Sequence, residues 1–174
     1  LPGRLDVCEG PAGLLCVDDA LASNPSATAA GLAWLRGFGL PTVVLLGGDD
    51  RGVDPSPLAT EAAQWPGARL VAVALRSNGE VLAEQCGIPV VGAVGSVAEA
   101  VALAIRELGD GVEHRPEDPA TGGSGTAHTP APGGVGGPPA RGAVVFSPAA
   151  PTPAGTGTWA TRSAEFRAAL RSRS

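Results

Sequence analysis

The run Thr42-Val43-Val44-Leu45-Leu46-Gly47-Gly48-Asp49-Asp50-Arg51-Gly52-Val53-Asp54 passes abruptly from strand-forming residues to glycine and charge. Its first five positions read as a buried strand, because β-branched and leucine side chains in an unbroken run mark a strand covered on both faces. In a parallel α/β sheet, ligands bind where such runs break, at the carboxyl ends of the strands. The same break recurs at Val17-Asp18-Asp19-Ala20-Leu21-Ala22-Ser23-Asn24-Pro25 and at Val144-Val145-Phe146-Ser147-Pro148-Ala149-Ala150-Pro151-Thr152. Each break is followed by a helical pattern, which predicts one site assembled along one edge of a single sheet.

Working outward, residues 5–9 and 13–18 are short strand candidates separated by the turn signal Gly10-Pro11-Ala12. Asn24-Pro25 opens a helix, with asparagine capping free amides and proline at the first helical position. Its apolar face holds Ala29, Leu32, Ala33 and Leu35, and Gly37 and Gly39 end it. Residues 57–65 read as a helix halted by Pro66, 69–75 as a buried strand, and Gly79–Gln85 as a helix. A short strand is predicted over 88–91. Ser96-Val97-Ala98-Glu99 is a capping box opening the clearest helix, 97–108. A last strand over 143–146 and a helix over 158–170 complete the order.

This alternation predicts an α/β, Rossmann-like three-layer domain, with a mostly parallel sheet of about six strands and helices on both faces. Over 111–139 the pattern stops. Gly, Pro, Thr, Ala and Ser dominate there, and the stretch is expected to be a disordered surface insertion, since it has too few large apolar residues to offset its ordering entropy.

The length of 174 residues suits one domain, and a hydrophobic fraction of 44% suits a globular one. No apolar run approaches the roughly 20 residues of a membrane span. The net charge is −5, which argues against nucleic acid as the main partner. All 12 basic residues are arginine, as GC-rich coding would give, so any cation for an anionic ligand is a guanidinium. Cys8, Cys16 and Cys86 form neither a disulfide framework nor a zinc motif, as suits a reducing compartment. His114 and His128 read as solvated residues rather than ligands, and no metal site is predicted. Leu1-Pro2-Gly3-Arg4 has neither a methionine nor a signal-like apolar stretch, and reads as the start of a fragment.

Four separated signals, in order, resemble the C-terminal domain of the Mur ligases, MurD type. Leu1-Pro2-Gly3-Arg4 resembles the family's Leu-Pro-His-Arg linker, with Gly3 in place of histidine. Asp18-Asp19 through Asn24 resembles its Asn-Asp-Ser-Lys-Ala-Thr-Asn loop. Leu46-Gly47-Gly48 with Asp49, Asp50 and Arg51 resembles its Gly-Gly loop with a basic residue. Ser147-Pro148-Ala149-Ala150, then Arg162 and Glu165-Phe166, resemble its Ser-Pro-Ala segment and the following Arg-Gly-x-x-Phe helix.

The resemblance implies an ATP-dependent ligase that adds an amino acid to a UDP-N-acetylmuramoyl precursor in peptidoglycan synthesis. Arg4 would approach the ATP phosphates, and Asp19 would accept hydrogen bonds from the ribose hydroxyls. Ser23, Arg51, Thr152 and Trp159 would bind the amino acid, supported by the loop residues Asn24, Gly47 and Gly48. Leu21 stands where the D-glutamate-adding enzymes carry a loop lysine. With Pro25 and Asp50-Arg51-Gly52-Val53-Asp54, it resembles the relative that adds L-glutamate. A D-glutamate-adding MurD and a degenerate, non-catalytic Rossmann-like binding module are the alternatives. For Arg51 and Asp54 taken alone, a surface turn with a local ion pair is the plain alternative; for Trp159 it is core packing.

No phosphate loop and no magnesium-binding cluster occur in the sequence. ATP and Mg2+ are therefore expected to be held mainly by a central ATPase domain, and the UDP-sugar by an N-terminal domain, both outside residues 1–174. The expected partners of the complete enzyme are glutamate, ATP and UDP-N-acetylmuramoyl-L-alanine. Neither nucleic acid nor membrane is expected, and the whole would be a cytoplasmic monomer. The isolated chain is expected to be inactive.

Overall fold

The computed structural model describes residues 2–110 and 139–173. Strands β1 (Asp6–Cys8), β2 (Leu14–Asp18), β3 (Thr42–Leu46), β4 (Leu70–Leu75), β5 (Val90–Val94) and β6 (Gly142–Phe146) form one sheet. Its order is β1-β2-β6-β3-β4-β5, with only β1 antiparallel to its neighbour. The helices are α1 (Pro25–Arg36), α2 (Ser56–Ala62), α3 (Gly79–Gln85), α4 (Val97–Asp110) and α5 (Trp159–Arg171). This is a Rossmann-like α/β sandwich.

Strand alternation sorts the core into two layers. Leu15, Val17, Val44, Leu46, Ala72 and Val145 pack against α1, α2 and α3 through Leu32, Leu35, Leu58 and Leu82. The intervening Cys16, Val43, Leu45, Val73, Val144 and Phe146 pack against α4 and α5 through Val101, Ala104, Phe166 and Leu170. A strand apolar at every position therefore buries both faces. Phe146 and Phe166 are fully buried, with ring centroids 5.6 Å apart.

Local chemistry sets the helix starts. Asn24 Oδ1 accepts the Ala27 N–H at 2.9 Å, and Pro25 follows as the first helical residue. At α4, Ser96 Oγ accepts the Glu99 N–H at 3.2 Å, while Glu99 Oε2 accepts the Ser96 N–H at 3.0 Å. The Gly95 N–H, which donates to the same Oε2 at 2.9 Å, together with the Ser96 hydroxyl and N–H, holds the Glu99 carboxyl below its usual range. Arg36 on α1 reaches Glu61 on α2 at 2.8 Å, tying two helices of one layer together. Burial pushes the thiols of Cys8 and Cys86 up to about 11 and that of Cys16 to about 12.

Several boundaries differ from expectation by one residue, and those of three elements by two or more. The strand predicted over 88–91 lies at Val90–Val94: Ile88 is buried in the layer below α1–α3, and the edge strand begins only after Pro89. The second helix is Ser56–Ala62 rather than 57–65, because the chain leaves it so that Trp65 can turn into the same core. The fourth extends to Asp110 instead of stopping at 108. The expectation of disorder over 111–139 falls outside the described residues except for Pro139, and His114 and His128 fall outside them entirely.

Candidate functional site

β2, β3, β4 and β6 are mutually parallel, so the loops that follow them leave the same edge of the sheet. Gly47-Gly48, after β3, is where these loops meet. Gly47 has φ 128, and a Cβ there would lie 2.6 Å from the Leu75 carbonyl oxygen at the end of β4. A Cβ on Gly48 would lie 2.2 Å from the Pro151 oxygen in the loop after β6. Only glycine admits backbone at this distance.

Every backbone polar group of the pair is taken. Gly47 N–H donates to the Pro148 oxygen at 3.0 Å, and Asp49 N–H to the Pro151 oxygen at 2.8 Å. Arg162 Nη2, from α5, donates to the Gly47 oxygen at 2.7 Å. Gly48 N–H donates to Asn78 Oδ1 at 2.9 Å, and Ser77 Oγ donates to the Gly48 oxygen. Burial pushes the Arg162 guanidinium pKa down, and its carbon sits 5.1 Å from the Phe146 ring centroid.

Backbone strain concentrates at this edge. Among the described residues, the non-glycine residues with positive φ are Leu5 (44), Ser77 (109) and Ala149 (57). Each precedes or follows a strand at the carboxyl end of β2, β4 or β6. Such residues persist only where their surroundings over-determine them, and they cluster at functional sites.

Two adjoining hollows open beside the glycine pair and share Ala150 and Pro151. One, of about 280 Å³, is lined by Leu21, Ser23, Thr152 and Trp159 among others. The other, of only about 30 Å³, is lined by Asp49, Asp50, Arg51, Asn78, Val81 and Gln85 among others. Ser23, Thr152 and Trp159 thus share a cavity, and Arg51 stands in its neighbour. Arg51 is exposed, with a long 3.4 Å pair to Asp49 as its ionic contact. Asp54 instead accepts both the N–H and the Oγ–H of Ser56, which hold its carboxyl below its usual range. Trp159 is 38% exposed at the first position of α5 rather than packed in the core.

Gly3, Leu21 and Trp159 meet in space. A Cβ on Gly3 (φ 74) would lie 2.9 Å from Trp159 Cζ3 and 3.7 Å from Leu21 Cγ, and the Leu21 N–H donates to the Gly3 oxygen at 2.8 Å. These three residues, far apart in sequence, therefore form one packed cluster beside the cavity that Leu21 and Trp159 line.

Arg4 is exposed, beside a sealed group of polar side chains. Asp19 is 2% exposed; its Oδ1 accepts the Leu5 N–H at 3.2 Å and its Oδ2 the Ser147 hydroxyl at 2.8 Å. Burial raises the Asp19 pKa, against the lowering effect of the Ser147 and Leu5 hydrogen bonds and of Arg4. Ser147 Oγ also lies 2.9 Å from Thr28 Oγ1. Asp18, on the other face, accepts from Arg167 Nε at 2.7 Å and Ser163 Oγ at 2.5 Å, and Arg167 Nη2 reaches Asp6 at 2.7 Å.

Sequence reasoning passed over Ser77, Asn78 and Gln85, and gave Arg162 no role beyond its motif. The Ser77-Asn78-Gly79 run, one residue beyond the end of an apolar strand, is a turn signal that marks the first two. Among the described residues, no group of three His, Cys, Asp or Glu is placed to hold a metal ion. No described helix is long and apolar enough to cross a membrane.

No family model matches the chain, and no curated protein matches it. Among solved structures it is similar to the crystal structure of MurF ligase from Thermotoga maritima in complex with ADP. The identity is 16% and the TM-score 0.48, with 100% of this chain and 32% of that one covered. The chain thus spans about a third of the length of that structure.

Proposed function

We infer that this chain is the amino-acid-binding domain of a Mur-type, ATP-dependent ligase that adds glutamate, with the L-enantiomer preferred, to UDP-N-acetylmuramoyl-L-alanine. The observation that carries the reading is the meeting of Ser23, Thr152 and Trp159 around one cavity with Arg51 in the next. These positions are far apart in sequence, and the motif resemblance singles them out independently of any geometry. Arg51 would hold the side-chain carboxylate through its planar fork. The hydroxyls of Ser23 and Thr152 would complete its hydrogen bonds, and Trp159 would wall the cavity. Asn24, Gly47 and Gly48 keep the loops in register through the contacts described above.

Arg4 is proposed to meet nucleotide phosphates. Asp19, proposed for the ribose, would first have to release the Leu5 N–H or the Ser147 hydroxyl. The described residues do not fit Mg2+, since they offer no cluster of metal-binding side chains. The reading therefore assigns ATP and its metal to a central domain and the UDP-sugar to an N-terminal one, within a cytoplasmic monomer. This chain's own part is to bind and orient the amino acid.

A binding module that has lost ligation is the second reading, favoured by the closure of Asp19 and by Leu21 in place of lysine. The test is titration of the 174-residue chain with L- and D-glutamate, beside a ligation assay of the chain joined to N-terminal and central Mur domains. Binding of L-glutamate that Arg51→Ala weakens, with ligation in the joined enzyme, supports the first reading. Binding without ligation favours the second. Preference for D-glutamate would overturn the subtype, and binding of neither enantiomer would overturn both readings.

A further inference from the structure

The hollow that holds Arg51 is lined also by Asn78, and the bonding of this side chain is unusual for its position. Asn78 stands at the N-cap of α3 yet caps nothing: no backbone N–H of its own helix reaches its side chain. Its Oδ1 instead accepts the Gly48 N–H at 2.9 Å, 30 residues away. That bond fixes which way the amide faces. An N–H can only meet the carbonyl oxygen, so Oδ1 is turned to Gly48 and Nδ2 is turned away from it. Nδ2 has no partner among the described residues, although Asn78 is half-buried and lines the hollow.

We propose that Asn78 determines specificity in this hollow, its Nδ2 donating to the same ligand carboxylate that Arg51 holds. The inference rests on the reading that the hollow takes an acidic amino acid. Four further features agree with it. Among the described residues Arg51 has only the long 3.4 Å contact to Asp49, which leaves donors of its fork open to a ligand. Val53 and Val81, 50% and 52% exposed, flank the hollow as apolar walls for a methylene stem. Asp49 and Asp50 line it too, and would favour the ligand's ammonium. Ser77, with φ 109, holds the other side of Gly48 through its hydroxyl, so the amide is presented from a backbone pinned at both ends. The ligand chemistry that fits is one carboxylate donated to by a guanidinium and an amide, with a cationic amine elsewhere on the molecule.

The decisive variant is Asn78→Asp. It has the same size and keeps an oxygen for the Gly48 N–H, but replaces the two donors of Nδ2 with a carboxylate oxygen. The probe is L-glutamate titrated onto the full chain, with heteronuclear NMR reporting both affinity and the state of the fold. Asn78→Asp should leave the spectrum of the core unchanged and weaken L-glutamate binding about 10- to 100-fold. Gln85→Glu adds the same charge to the same hollow and should weaken it less than about threefold. Asn78→Ala loses both the Gly48 bond and the donor, and should bind as poorly as Asn78→Asp or worse. If Asn78→Asp binds within twofold of the natural chain, or no worse than Gln85→Glu, Asn78 only braces Gly48 and the proposal is overturned while the Arg51 reading stands. If the natural chain shows no Arg51-dependent glutamate binding, both fall together.

Discussion

Where β2 and β6 end, Asp18, Asp19, Thr28 and Ser147 are buried and bonded to one another or to a neighbouring helix. Where β3 ends, beyond the glycine pair, Asp50 and Arg51 stand in solvent at a hollow, with one long ion pair between Arg51 and Asp49. Both regions lie on the same edge of the same sheet and carry similar residue types. The difference is whether the protein itself satisfies them. A buried carboxylate must be fully bonded, because leaving it unpaired is costly. An exposed arginine in a hollow with open donors has bonding capacity left for a ligand. One half of the edge therefore holds the domain together, and the other is where binding is possible. The Gly47-Gly48 turn joins them.

Substitutions that break this contrast are expected to rank as follows. Asp18→Ala strips a fully buried carboxylate from Arg167 and Ser163 and should lower unfolding free energy by about 3 kcal/mol, read from the urea midpoint. Arg51→Ala, by comparison, should stay within about 0.5 kcal/mol, as for surface positions generally. An equal loss at both positions would erase the distinction. Gly48→Ala forces a methyl group against the Pro151 oxygen and should cost about 1–3 kcal/mol. It should also disturb the resonances of both halves, whereas Asp18→Ala should leave those of residues 49–54 in place.

Smaller effects sharpen the picture. Asn24→Ala removes the cap of α1 and should cost about 1 kcal/mol. Asp19→Asn tests the sealed half through pH. Burial raises the Asp19 pKa above its ordinary 3.8, so the folded chain holds this proton more tightly than the unfolded chain does. The stability that follows is complete below 3.8 and is lost as pH rises through the folded value. The asparagine variant does not lose it. Its stability relative to the natural chain should therefore climb as pH rises from about 4, in chemical denaturation at several pH values. A difference that falls with pH would mean that Asp19 is stabilised as the carboxylate.

Much of the fold was legible because local and global signals agree. β3 and α3 lie at the residues their sequence indicates, and the capping devices at Asn24 and at Ser96 with Glu99 form as written. The strand around residue 90 was displaced because Ile88 looks like a strand residue but serves the helix-covered core, which periodicity over four residues cannot reveal. The site was legible in part. Arg51 and Trp159 stand out by residue type, whereas the burial of Asp19 depends on Leu5 and Ser147, which are 14 and 128 residues away. Asn78 and Arg162 act through the backbone of a distant glycine pair, and no spacing rule reports such a contact. The packing of Gly3 against Leu21 and Trp159 is likewise visible only in three dimensions.

The open half of this edge is proposed to bind an amino-acid carboxylate, and the three tryptophans allow a direct test. Trp159 lines the 280 Å³ cavity, Trp34 lies on α1 beside Phe38, and Trp65 is buried in the core. L-Glutamate titrated onto the chain should shift the Trp159 indole N–H resonance together with the amides of Ser23, Arg51 and Thr152. The indoles of Trp34 and Trp65 should stay in place, and Arg51→Ala should weaken the response about 10-fold or more. A response centred on Trp34, or none at millimolar glutamate, would contradict the account.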